Sequence, residues 1–135
     1  MDIIIDGYKA RWNLANYNDS WIINQNSIDE VGCIHTCQGL EVDYVGVIIG
    51  DDLKVAGNHF VTDPSARAKT DKSLFGFKKA LREDEVGALK KADSIIRNTY
   101  RTLMSRGMKG CFVFCTDKAT NDFFKKVMRE LKELE

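Results

Sequence analysis

The chain has 135 residues, with 20 Lys and Arg against 20 Asp and Glu and a formal net charge of zero. That length suits one domain that buries about two-thirds of its unfolded surface around a single core. A hydrophobic share of 44% beside 30% charged residues excludes wholesale disorder. No apolar run reaches the roughly 20 residues that span a bilayer, and Met1–Tyr8 is too short and too acidic for a secretory signal. A compact cytoplasmic domain with no membrane partner is the expectation.

In chain order, Asp2–Ile5 reads as a short strand, followed by a polar, aromatic stretch through Trp12 and Trp21. Trp21–Ile23 and Val31–His35 read as further short strands. Tyr44–Ile49, YVGVII, is apolar on both faces, the pattern of a central strand with helices on either side. Gly50–Asp52 turns it off, and Leu53–Thr70 lacks periodicity and reads as a loop, with a possible strand at His59–Val61. Glu83–Ser105 sets Leu89, Ala92, Ile95, Ile96, Tyr100 and Leu103 at three- and four-residue steps, the spacing of one helix face. Its acidic start suits the helix dipole, and Gly107 is a natural stop. Gly110–Thr116 then reads as an apolar strand, and a last helix from about Asp117 gathers Phe123, Phe124, Val127, Met128, Leu131 and Leu134. Strand, long helix, strand, helix predicts an α/β fold with a mainly parallel sheet flanked by helices, as one domain over 1–135.

Charge is balanced in total but not along the chain. Met1–Ala66 carries ten acidic and three basic residues, and Arg67–Glu135 seventeen basic and ten acidic. The steepest part, Arg67–Arg82, sets Arg67, Lys69, Lys72, Lys78, Lys79 and Arg82 against Asp71 alone. Such a stretch either holds phosphates, with affinity that falls steeply with salt, or is a solvated surface. The four cysteines form two C-x₃-C pairs, Cys33/Cys37 and Cys111/Cys115. Without a secretory signal a disulfide framework is disfavoured, and structural zinc pairs more often sit on tight C-x₂-C turns. Cys111 and Cys115 fall on one face of the strand CFVFC, so small buried hydrophobes are the better account and no metal site is expected.

No G-x-x-x-x-G-K-[ST] and no G-x-G-x-x-G after a strand occurs in the chain. The informative segment is Ile34–Ile49, IHTCQGLEVDYVGVII, where a polar cluster lies between two strands. In an open α/β sheet, polar residues beyond a strand's carboxyl end are where ligands bind. Read without further context, the cluster is equally a capped turn joining two strands.

That segment resembles motif V of superfamily 1 helicases, a His-x-x-x-Gly-x-Glu run that enters a hydrophobic strand. Downstream, NTYRTLMSRGMKGCFVF, from Asn98 to Phe114, resembles motif VI, a helix ending in Leu/Met-Thr/Ser-Arg and followed by a strand. With PSARAKTDKSLFGFKKAL between them, roughly residues 28–118 resemble the C-terminal part of the Schlafen group 3-like DNA/RNA helicase domain. Ser105 stands where Thr is frequent in motif VI, and Gly107 where Ala is frequent.

The resemblance implies a second RecA-like domain, of the P-loop NTPase type but without the Walker A half, belonging to a longer nucleic-acid-dependent ATPase. It implies ATP and Mg²⁺ as cofactors of the intact protein, a P-loop RecA-like domain of the same protein as partner, and single-stranded DNA or RNA as the other partner. It implies that Arg106 is the catalytic arginine that reaches the γ-phosphate, and that Gln38, Gly39 and Glu41 couple the nucleotide to the strand-binding face. His35 and Thr36, with the basic residues Arg67, Lys69 and Lys72, would face nucleic acid. The chain alone is then expected neither to hydrolyse ATP nor to bind it tightly. Two rivals stand beside this: a non-catalytic module that holds single-stranded nucleic acid, and a small thiol enzyme built on Cys37 with His35 or His59. Trp12 and Trp21 are open to base stacking or to packing.

Overall fold

The structure is a computed structural model that describes residues 2–13, 18–67 and 71–134. It is mixed α/β, with small sheets in place of one broad parallel one. β1 (Ile3–Ile5) and β2 (Tyr8–Trp12) form an antiparallel hairpin with Ile5 opposite Tyr8. The two turn residues both take positive φ, Asp6 at 46° and Gly7 at 88°, which is the backbone an Asp-Gly hairpin turn demands. β3 (Glu30–Val31) adds to β2 in parallel. The strand expected at Trp21–Ile23 is instead part of a 3₁₀ turn spanning Asn18–Ile23. Three apolar residues are too few to set a period, and Ile22 and Ile23 stay exposed. The strand expected at Val31–His35 stops at Val31. A Cβ on Gly32 would strike the Trp21 ring, and Cys33 then caps a single helical turn, α1 (Ile34–Cys37).

The central pair is β4 (Val42–Ile49) and β7 (Gly107–Cys115), parallel, with Tyr44 beside Gly110, Val47 beside Val113 and Ile49 beside Cys115. Between them the chain builds a hairpin and two helices. β5 (Leu53–Ala56) and β6 (His59–Thr62) are antiparallel around Gly57 at φ 65°, so the first part of the expected loop is a hairpin and the segment at His59–Val61 is borne out. The hairpin is tied to its neighbours: Val55 N–H donates to Thr120 Oγ1 at 2.8 Å, Thr62 Oγ1 to Asp93 Oδ1 at 2.8 Å, and Arg97 Nη2 to the Phe60 carbonyl at 2.7 Å. A short helix that was not expected, α2 (Phe77–Glu83), precedes α3 (Glu85–Met104), which is the helix expected over Glu83–Ser105. Asp84, extended at φ −150°, ends the first and caps the second by accepting from Gly87 N–H at 3.0 Å. α4 (Lys118–Lys132) starts as expected, with Asp117 accepting from Thr120 N–H at 2.8 Å.

The core lies where α3 crosses β4 and β7. Ile96 and Tyr100 bury against Val47, Ile49, Leu53 and Cys115, with Leu74, Leu103 and Phe124 packed around them. The expectation that β4 is covered on both faces is corrected here. Val47 and Ile49 point into the core, but Tyr44 remains 58% exposed on the other face and Phe112 70%. Alternation along a strand sends successive side chains to opposite faces, and among the described residues only one face carries a packed helix.

Close packing also explains Gly107. A Cβ there would fall on the Gly110 carbonyl oxygen and lie 3.0 Å from Val45 N, both backbone atoms that cannot swing away. Gly107→Ala should destabilise the chain by about 1–3 kcal/mol in urea denaturation, and an unchanged midpoint would refute this account of the crowding.

Candidate functional site

Because β4 and β7 run parallel and Val42 lies beside Gly107, the segments that lead into them meet. Gln38 N–H closes α1 on the Ile34 carbonyl at 3.0 Å, Gly39 turns the chain at φ 83°, and Leu40–Glu41 carry it to β4. On the other side α3 ends at Met104, and Arg106 immediately precedes β7. Val42 N–H donates to the Arg106 carbonyl at 3.1 Å. The Arg106 guanidinium donates to the Thr102 carbonyl at 3.1 Å, to Ser105 Oγ at 3.3 Å and to the Leu40 carbonyl at 3.5 Å. All three acceptors are neutral, and among the described residues no carboxylate pairs with Arg106. The cluster sits at the amino ends of β4 and β7 rather than beyond a carboxyl end, since the strand before it is only two residues long.

The remaining predicted residues divide. Gln38, Gly39 and Glu41 are exposed, on the segment whose Leu40 carbonyl meets Arg106. Gln38 also lines an open groove of about 250 Å³ between α1 and α3, with Ile34, Ile95, Asn98, Thr99 and Thr102. His35 is exposed, with Nε2 3.8 Å from Asp71 Oδ1. The Thr36 hydroxyl donates to the Cys33 carbonyl at 3.0 Å, so its proton is engaged within α1. Lys72 is exposed, and Lys69 lies outside the described residues.

Arg67 is not part of an open basic strip. Its side chain is 10% exposed, with Nη2 2.6 Å and Nε 2.8 Å from Asp71 Oδ2, and Nη1 3.5 Å from Asp52 Oδ2. Asp52 in turn accepts from the Tyr100 hydroxyl at 2.5 Å, and that oxygen accepts from Gly50 N–H at 3.1 Å. Burial, and then the Asp52 charge, push the Tyr100 phenol well above its ordinary range, so it remains a donor. Burial works to raise the Asp71 carboxyl, but hydrogen bonds from Ser73 and the adjacent Arg67 outweigh it and hold the group below the usual carboxylate range. Sequence reasoning missed this network, whose members lie up to 50 residues apart. Charge alone offered no signal for it.

Cys33 and Cys37 lie at α1, Cys111 and Cys115 on β7, and among the described residues no three His, Cys, Asp or Glu side chains converge on a metal position. Burial raises the Cys37 thiol, and burial with the nearby Asp117 raises Cys115 to about 11. A thiol with a raised pKa holds little nucleophilic thiolate at neutrality. Cys37 should therefore react with iodoacetamide at pH 7 more slowly than a free cysteine peptide, as peptide mapping would show; faster reaction would restore the thiol-enzyme reading. The Trp21 ring packs over Gly32 beside the Cys37 sulfur, which favours packing over base stacking for that residue. Among the described residues no helix is long and apolar enough to cross a membrane.

No solved structure matches the chain. It is 29% identical over 114 residues to the uncharacterized protein YPL245W of Saccharomyces cerevisiae, an alignment that covers 83% of this chain but 24% of the yeast protein. The chain thus spans about a quarter of the length of that relative. Residues 1–117 match the family described as Schlafen group 3, DNA/RNA helicase domain, and with most of its length inside that match the chain belongs to this family.

Proposed function

We propose that this chain is the second RecA-like domain of a nucleic-acid-dependent ATPase, supplying Arg106 to ATP held by a P-loop domain of the same protein. The family supports a nucleic-acid-related helicase role. The observation that carries the finer reading is the meeting of Arg106 with Leu40–Val42, which joins the two motif-like segments across 66 residues.

The residues fit a bound nucleotide. Arg106 is oriented by neutral oxygens and has no acidic partner among the described residues, so its charge is available to an anion. Its planar fork suits two phosphate oxygens. Bound ATP supplies the phosphoryl group, and Arg106 stabilises the negative charge that builds on it. Gln38 and Glu41, on the segment whose Leu40 carbonyl meets Arg106, report nucleotide occupancy to α1, where His35 faces the nucleic acid. No side-chain cluster that could ligate a metal occurs among the described residues, and in this reading Mg²⁺ is held by the phosphates and the P-loop domain. The test is ATP turnover of the full-length protein with Arg106 replaced; turnover by the isolated chain that depends on Arg106 would contradict it.

The exposed side chains of Lys72, Lys78, Lys79 and Arg82 favour a second reading, a module that binds single strands without hydrolysis. Oligonucleotide titration of the chain at two salt concentrations tests it, since neutralising phosphates imposes a negative salt slope.

A further inference from the structure

We propose that Phe75 is a stacking platform for an unpaired base, set among Lys72, Lys78, Lys79 and Arg82, which hold the flanking phosphates. This deepens the nucleic-acid reading above and rests on it.

Phe75 is 92% exposed, the largest fraction of any large hydrophobic side chain among the described residues. A lone exposed hydrophobe needs no explanation in itself. What distinguishes Phe75 is that its neighbours are packed and its backbone is held. Leu74, the preceding residue, packs against the core, and Phe77 is half-buried, so the turn directs one ring outward while seating the side chains around it. Asp71, fixed by Arg67, accepts from Ser73 N–H at 2.7 Å, and Phe75 N–H donates to the Lys72 carbonyl at 3.0 Å. Gly76 follows at φ 80°, and its carbonyl accepts from Lys79 and Ala80 N–H at 3.0 Å each. The buried Arg67–Asp71 pair, which removed Arg67 from the candidate phosphate ligands, here anchors the loop that carries the ring. An aromatic presented on a fixed backbone loses little entropy when a base stacks on it.

Charge separates this site from the exposed aromatic pair of β4 and β7. The Tyr44 and Phe112 rings lie 6.3 Å apart on the bare face of β4 and β7, but the ion pair beside them, Lys109 with Asp43 at 2.8 Å, is self-neutralised. Within seven residues of Phe75 along the chain lie four exposed cations, and among the described residues only Lys79 of these forms an ion pair, with Glu83 at 3.9 Å. Aromatic stacking with cations along the backbone is the chemistry of single-strand binding. A duplex offers no free base face, so single strands are the expected ligand.

The test uses the intact chain and a fluorescein-labelled oligothymidylate in anisotropy titrations at several salt concentrations. Phe75→Ala and Phe75→Leu should weaken binding roughly 5- to 150-fold, while Phe75→Tyr stays near the parent. The salt slope should be unchanged in all three. Lys78→Ala with Lys79→Ala should instead flatten the slope, by about 0.7 for each phosphate no longer neutralised. If the parent chain fails to bind at low salt, the nucleic-acid reading falls and takes the platform with it. If the parent binds and Phe75→Leu binds equally well, the platform alone is refuted. Phe75 is exposed enough that circular dichroism of the variants should match the parent.

Discussion

Replacing Arg67 with Met is expected to cost the fold roughly 3–5 kcal/mol, the usual penalty for removing one partner of a buried charge network. Arg67, Asp52 and Asp71 have side chains 10%, 7% and 17% exposed, so solvent cannot take over the charge that Arg67 neutralises. Met fills a similar volume but leaves two carboxylates facing an apolar stem, and it frees the Asp71 turn. The loss should depend on pH with a definite sign. The folded-state pKa of Asp71 is depressed, so the stability it contributes is complete above the unfolded value of about 4 and disappears as pH falls through the lower folded value. Without Arg67, only the Ser73 hydrogen bonds oppose the burial of Asp71, so the deficit of the variant should narrow as acid protonates that carboxylate. Urea denaturation at neutral and acidic pH measures both effects. A deficit below about 1 kcal/mol at neutral pH, within the range of many ordinary substitutions, would show that the network is not a buried one. Adding Asp71→Leu to the Met variant should recover part of the loss, because it removes one stranded charge.

Arg106→Lys in the full-length protein should lower the turnover number for ATP by about 10³-fold or more, with little change in the KM for ATP. Lysine keeps the charge but loses the planar fork, so it cannot grip two phosphate oxygens while also holding Thr102, Ser105 and Leu40. The stability cost should be small, about 1–2 kcal/mol for a few hydrogen bonds to neutral groups. That contrast separates a catalytic arginine from a structural one. A variant that loses stability but keeps its turnover number would assign Arg106 to the joint between α3 and β4 alone.

Arg67 and Arg106 look alike in sequence, each followed by a short residue and set among other cations. Their environments differ because of partners that lie far away in the chain. Arg67 has Asp71 four residues on, which sequence reasoning registered only as a lone acid in a basic run. Asp52, the second partner, comes from the turn after β4, and Tyr100, which locks it, comes from α3. Similarly, Lys72 and Lys79 read like Arg67 in composition, yet they remain in solvent.

By itself the sequence determined what short-range physics controls. The start of α4 followed from Asp117, whose side chain caps the helix three residues on, and the apolar runs of β4 and β7 were legible as strands. The order of the two motif-like segments was legible as well, and it led to the family. One strand of each hairpin was legible, Asp2–Ile5 and His59–Val61, but β2 and β5 were missed because strands of three to five residues carry too little periodicity, though the Asp6-Gly7 and Gly57-Asn58 turns were signals within reach. Only the tertiary structure decided which face of β4 is covered, that Arg67 turns inward, and that Arg106 meets Leu40. Caps and turns close hydrogen bonds within a few residues and so are written locally. A side chain's burial and its ion partners depend on which distant elements pack beside it, and no local pattern carries that information.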